Sequence, residues 1–167
     1  MEFTPGHPEI TLRRIDQSDM PSLLAMYAST REEEMSKVPG WSETMKHEFI
    51  KSQFDAQHSH YQKNYSGADF WVICKNKSSA GRLYVHENFQ GRGMRIIDIT
   101  LLPAFRNYGI GSSILKDLMQ LSTQSEKPLS IHVESFNPAK NLYNRLGFNK
   151  ISETNGVYHL MEWKHTI

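Results

Sequence analysis

The chain of 167 residues is 38% hydrophobic and 22% charged, which suits one globular core of ordinary size and shows no second domain. A formal net charge of +1 offers no bulk attraction to nucleic acid or to a membrane, and no basic arm is present. One cysteine, Cys74, excludes an internal disulfide and suits a reducing compartment; no stretch has the apolar length of a signal core or spanning helix, so the chain reads as cytoplasmic.

Residues 10 to 15 read as a first strand. Met20, Leu23, Leu24 and Tyr27 then mark the inner face of a helix whose start carries Asp19 and Pro21. Arg31 to Trp41 reads as a polar connection, with Glu32, Glu33 and Glu34 as a solvated run. A second helix is predicted from Ser42 to about Tyr65, with Phe49, Phe54 and Tyr61 among its apolar contributors. Its histidines, His47, His58 and His60, do not form a recognisable zinc pattern, so no metal site is expected. Phe70 to Cys74 and Gly81 to Val85 follow as a hairpin, and Asn88 to Gly93 as a loop.

The segment Arg95-Ile96-Ile97-Asp98-Ile99-Thr100-Leu101-Leu102 is rich in β-branched residues and stopped by Pro103, which predicts a central strand. Beyond it, Ile114, Leu115, Leu118 and Leu121 recur at helical spacing. Between the two lies Arg106-Asn107-Tyr108-Gly109-Ile110-Gly111. A helix start leaves its first N–H groups unpaired at the positive end of the macrodipole, so a glycine-bearing turn there suits a pyrophosphate. It is not a P-loop, because Ser112-Ser113 follows Gly111 with no lysine, nor a Rossmann fingerprint, whose third glycine would fall at Ile114. Gly91-Arg92-Gly93 joins two strand-like runs and reads as a loop.

Leu129 to Glu134 forms the next strand. In Asn137-Pro138-Ala139-Lys140-Asn141-Leu142-Tyr143-Asn144-Arg145-Leu146-Gly147-Phe148, an N-cap asparagine, a proline at the first position and a glycine past the end delimit a short helix. Ala139, Leu142, Tyr143 and Leu146 share its apolar face. Lys150 to Thr154 and Val157 to Trp163 close the chain as a hairpin around Asn155-Gly156. The order predicts an α/β fold, a mixed central sheet covered by helices.

The glycine turn and the Asn137 helix, in this order, resemble the GNAT acyltransferase superfamily, whose members move an acyl group from acyl-coenzyme A to an amine. The diagnostic likeness covers about residues 94 to 148, and in detail it is similar to small single-domain bacterial members. It implies one acyl-CoA N-acyltransferase domain over residues 1–167, acetyl-CoA as cofactor, and a splay between strands 94–102 and 129–134 that opens a slot. By the same resemblance Leu101 lends backbone groups to the cofactor arm, and Arg106, Asn107, Tyr108, Gly109, Ile110, Gly111 and Ser112 form the pyrophosphate turn. Asn137 and Tyr143 lie near the thioester. The acceptor, an amine of a small molecule or a protein, enters near residues 31 to 45 and the closing hairpin. No nucleic-acid or membrane partner is implied, and the chain is a monomer or homodimer.

Transfer to an amine needs a neutral nucleophile, stabilisation of an oxyanion and a proton for the departing thiolate. A backbone N–H near Leu101 suits the oxyanion, and Tyr143 suits the sulfur. A phenol of pKa ~10 against ~8.5 for a thiol makes positioning, rather than proton affinity, the source of that benefit. Glu134 is slightly favoured over Asp98 as general base, since a buried Asp98 would need Arg82 or Arg95 as partner. His132, between two core-facing positions, reads as a surface residue, and Cys74 as an inert thiol. The alternative is a noncatalytic acyl-CoA-binding or sensing module that keeps the slot without an effective acceptor site.

Overall fold

β-branched and aromatic residues carry the chain into seven strands: β1 Ile10–Arg14, β2 Asp69–Lys75, β3 Ser78–His86, β4 Met94–Leu101, β5 Leu129–Glu134, β6 Asn149–Thr154 and β7 Tyr158–Trp163. They come from a computed structural model, which describes residues 1–165; the last two positions of the domain expected over 1–167 lie outside the described residues. The strands form one sheet in the order β1-β2-β3-β4-β5-β7-β6. β4 and β5 are parallel and every other neighbouring pair is antiparallel, so the sheet is mixed as expected. Among the described residues the strands are joined by five α-helices, α1 Met20–Ser29, α2 Glu32–Ser36, α3 Glu43–Asn64, α4 Ile110–Gln124 and α5 Lys140–Arg145, besides short 3-10 turns. No helix among the described residues is long and apolar enough to cross a membrane.

Strand alternation divides the helices between the two faces. Leu83, Val85, Ile96, Ile131 and Val133 point to one face and pack with Ile110, Ile114, Leu115 and Leu118 of α4 and Tyr143 of α5. Arg82 and Tyr84, which alternate with Leu83 and Val85, point to the other face and meet Gln57 and Tyr61 of α3. Leu23, Met26 and Tyr27 of α1 close over Ile50 and Phe54 of α3 there as a second apolar cluster. α3 starts where Ser42 accepts from the Met45 N–H at 3.1 Å, as its N-cap chemistry predicts.

Two expectations need correction. The connection Arg31 to Trp41 contains α2, whose turns are held by Arg31–Glu34 and Lys37–Glu33 pairs at 3.0 and 3.1 Å. It buries no residue, so no apolar period marks it in the sequence. Phe49 does not face the core; it is exposed and packs edge-on against Trp41. The Asn155-Gly156 hairpin is as expected, with positive φ at both residues.

The feature that positions the site is where β4 leaves β5. Their pairing runs from Met94↔Leu129 to Ile96↔Ile131 and stops, although β4 continues to Leu101 and β5 to Glu134. On its other edge, β4 pairs Ile96 with Val85 and Asp98 with Tyr84, leaving Ile97 as the extra residue of a bulge. A bulge bends and twists its strand. The departure from β5 begins at that residue.

Beyond the bulge β3 holds β4 closely. A Cβ at Gly81 would lie 2.1 Å from the Thr100 carbonyl oxygen and 3.0 Å from the Leu101 Cα. We expect Gly81→Ala to destabilise the fold by about 2–3 kcal/mol through overpacking against backbone. An unchanged denaturant midpoint would show instead that β3 and β4 separate freely at this point.

Candidate active site

The glycine turn sits where β4 ends. After the short turn Pro103–Phe105, Asn107 and Gly109 adopt positive φ, 67° and 78°, and α4 begins at Ile110. Gly109 occupies the N-cap position and so provides no capping side chain. The Ser113 N–H closes the first helical bond, onto the Gly109 carbonyl at 3.0 Å. The N–H groups of Ile110, Gly111 and Ser112 therefore lie at the open positive end of a fifteen-residue helix. This is the donor arrangement that binds a phosphate, and the residues present fit the pyrophosphate of coenzyme A. Tyr108 is exposed beside this turn, with Lys75 Nζ 5.1 Å from its ring centroid.

Arg106 takes a more specific position than a cation in front of the helix. Its Nε donates to the Leu101 carbonyl at 2.9 Å and its Nη2 to Ser29 Oγ at 3.3 Å, tying the end of β4 to the end of α1. The Leu102 N–H donates to the Ala80 carbonyl at 2.8 Å, which fixes the phase of the β3–β4 ladder. By antiparallel alternation the backbone groups of Ile99 and Leu101 point away from β3 and into the gap left by β5. With the Leu101 carbonyl occupied by Arg106, its N–H is the group left facing the gap.

A cavity of about 820 Å³ opens at this gap. Ile99, Thr100 and Arg106 line one side, Phe136 to Ala139 and Tyr143 another, and Ser29 to Glu34 with Lys37 a third. Residues 38 to 45 and the closing hairpin do not line it, so only the α1–α2 part of the expected acceptor entrance borders the cavity.

Tyr143 is placed here by α5, its ring 4% exposed and packed 5.9 Å from the Phe148 ring. Burial, assisted by the Asp98 and Glu134 carboxylates, raises its pKa well above the ordinary phenol value, so the hydroxyl is a neutral donor. Asn137 acts as a cap one turn before regular helix: its Oδ1 accepts from the Ala139 N–H at 2.9 Å, while α5 proper begins at Lys140. Its Nδ2 donates to Glu134 Oε2 at 3.1 Å, so Glu134 stands one hydrogen bond behind the cavity wall. His132 is exposed on the strand that carries Glu134.

Asp98 is held elsewhere. Arg82 Nη2 donates to its Oδ2 at 2.8 Å, Tyr61 Oη to the same oxygen at 3.1 Å, and Thr100 Oγ1 to Oδ1 at 2.7 Å. Arg95 is not its partner; its Nε donates to Ser130 Oγ. Burial opposes the Arg82 charge, but Asp98, Tyr84 and Tyr61 outweigh it and the guanidinium pKa is raised. Tyr84 is pushed up to about 12, chiefly by burial. The sequence reading missed Thr100 and Tyr61. Thr100 was legible as the second polar residue at i,i+2 with Asp98 on one face of an apolar strand, whereas nothing local marks Tyr61.

An open strand edge and an uncapped helix start thus lie at the two ends of the turn that Arg106 begins, and the cavity opens beside the strand edge and Arg106. Residues 26–148 match the model of the Acetyltransferase (GNAT) family, and the chain belongs to that family. An acetyltransferase from Thermus thermophilus superposes with a TM-score of 0.67 at 12% identity, covering 93% of this chain and 97% of that one. The PaiA N-acetyltransferase from Thermoplasma acidophilum, solved in complex with coenzyme A, gives 0.66 at 16% identity over 93% and 99%. RimL, a ribosomal L7/L12 alpha-N-protein acetyltransferase in complex with coenzyme A, gives 0.59 at 21% over 96% and 95%. A comparison with curated proteins finds no match.

The raised pKa of Tyr143 has a signed consequence. Its folded value lies above the unfolded value of ~10, so the stability it contributes is intact below that pH and is lost as pH rises through the folded value. We expect the native protein and Tyr143→Phe to show equal tyrosinate absorbance up to about pH 10. A difference of about half a tyrosinate at pH 10 would mean that Tyr143 titrates as an exposed phenol.

Proposed function

We propose that the protein is an acetyl-CoA-dependent N-acetyltransferase that moves acetyl to a primary amine of a small molecule or an exposed protein amine by direct attack. The observation that carries this reading is the meeting of a freed strand edge, a buried neutral tyrosine and a cavity beside Arg106, the first residue of the glycine turn. Membership of the acetyltransferase family supports it, as do the two similar structures with coenzyme A, an N-acetyltransferase and an alpha-N-protein acetyltransferase. We place the protein in the cytoplasm, as a monomer or homodimer.

When bound, acetyl-CoA supplies the activated thioester. The N–H groups of Ile110, Gly111 and Ser112, with Asn107, Tyr108 and Gly109 shaping the turn, hold the pyrophosphate. Arg106 adds charge and keeps the turn tied to β4. The Leu101 N–H, and that of Ile99, donate to the carbonyl oxygen as negative charge grows on it. Tyr143 donates its proton to the departing sulfur, and Asn137 keeps Glu134 in place. Glu134 takes the amine proton through a water, which balances the proton given at Tyr143. Asp98 is less suited to take the proton, because Arg82, Tyr61 and Thr100 already occupy its two oxygens.

Calorimetric titration with acetyl-CoA, and with its fragment lacking the pyrophosphate half, tests the cofactor site; binding by neither would overturn the reading. With an acceptor found by amine screening, we expect Tyr143→Phe to lower kcat by about 10²-fold while leaving cofactor affinity intact. Unchanged kinetics would remove Tyr143 as the acid. Arg106→Ala should weaken coenzyme A binding about tenfold, and an unchanged dissociation constant would take it out of the cofactor site.

A further inference from the structure

Asp98, the one carboxylate in β4, occupies the side of the sheet that faces α1 and α3, and nothing in the transfer chemistry above requires it. Its Oδ2 is saturated by Arg82 and Tyr61, at 2.8 and 3.1 Å. Arg82 is 2% exposed and is fixed in turn by Gln57 Oε1 at 2.8 Å. A guanidinium buried this deeply is matched by the carboxylate beside it, and Asp98 serves as an acceptor at both of its oxygens.

That commits the hydroxyl of Thr100. An ionised carboxylate can accept but not donate, so the Thr100 hydrogen points at Asp98 Oδ1, 2.7 Å away. What remains on Thr100 Oγ1 is lone-pair density. Thr100 lines the cavity with its strand neighbour Ile99, and Tyr143, Asn137 and the α1–α2 segment line the same cavity. An ordinary threonine hydroxyl rotates between donor and acceptor roles; this one is locked as an acceptor.

A nucleophilic amine has N–H groups to place and one lone pair to aim. If its N–H is held by a fixed acceptor, the lone pair is turned toward the acyl carbon at little entropic cost. We propose that Thr100 binds the acceptor amine as a hydrogen-bond acceptor, and that Asp98, pinned by Arg82 and Tyr61, is the positioning residue that fixes its polarity. The inference rests on the transferase reading and deepens it: the acceptor site selects an amine that carries N–H, and discriminates against a cation that carries none.

The test uses n-propylamine as a generic probe and tetramethylammonium as a cation without N–H, titrated into the full chain with and without coenzyme A. The Thr100 methyl resonance of the labelled protein should shift saturably with propylamine and not with tetramethylammonium. Thr100→Val, which keeps the β-branched shape, should weaken propylamine binding about tenfold, and Thr100→Ser should restore it. Asp98→Asn should also weaken it, because the new amide donates to Thr100 and turns the hydroxyl hydrogen into the cavity. Equal propylamine affinity in wild type, Thr100→Val and Thr100→Ser would overturn the assignment, as would equal binding of tetramethylammonium. Failure to bind coenzyme A counts against the transferase reading instead, and the same comparison in the cofactor-free protein still judges Thr100.

Discussion

The parting of β4 from β5 after Ile96 is the constraint on which the rest of the molecule depends. A sheet interior satisfies its backbone polar groups by pairing, and an opened edge gives up those bonds unless something else takes them. Here the loss is confined. The bulge at Ile97 turns β4 away over one residue, β3 keeps its own ladder to Leu101, and Arg106 caps the freed Leu101 carbonyl. What is left facing the gap is a short row of N–H and C=O groups on a strand fixed from one side. Preorganised donors of this kind are effective at a developing charge because they need not reorganise when it appears.

Holding β4 from one side alone would leave its end free to shift, and a buried ion pair supplies the second restraint. Arg82 on β3 and Asp98 on β4 sit at neighbouring positions across the ladder, and Tyr61 and Gln57 reach them from α3. Such a pair adds little net stability against an apolar replacement, because both charges lose their water. The Arg82 Nε and the Tyr84 hydroxyl, buried without protein partners, add to that cost. What the pair contributes is register and polarity: the strand end, the α3 position and the direction of the Thr100 hydroxyl are set together.

The strands, the long helices and the glycine turn were legible because each is written locally. β-branched runs, a period of 3.6 in α4, Ser42 as N-cap and Asn155-Gly156 as a turn need no knowledge of what lies opposite them. The site was legible only as far as local signals reach. Arg106 before two glycines suggested a phosphate cation, but its partners are the Leu101 carbonyl and Ser29, distant in sequence or set by the turn's path. Arg82 was one of two arginines that suited Asp98, and strand register decided between them: Arg82 faces Thr100 across β3–β4, whereas Arg95 pairs in register with Ser130. α2 escaped notice because side-chain pairs help hold it at the surface and its single apolar residue, Met35, which packs on the α1–α3 cluster, sets no period.

α2 also bears on how an acceptor is chosen. Three adjacent glutamates suggest a field that draws in cations, yet Glu33 is paired with Lys37 and Glu34 with Arg31. With Arg106 the cavity wall carries three cationic side chains, Arg31, Lys37 and Arg106, against the three glutamates. Long-range steering by such a neutral set is weak, and salt weakens it further. Selection then falls to contact within the cavity: the fixed acceptor at Thr100, the buried hydroxyl at Tyr143, and the Phe136 ring, 67% exposed at the wall, which offers an apolar surface to whatever bears the amine.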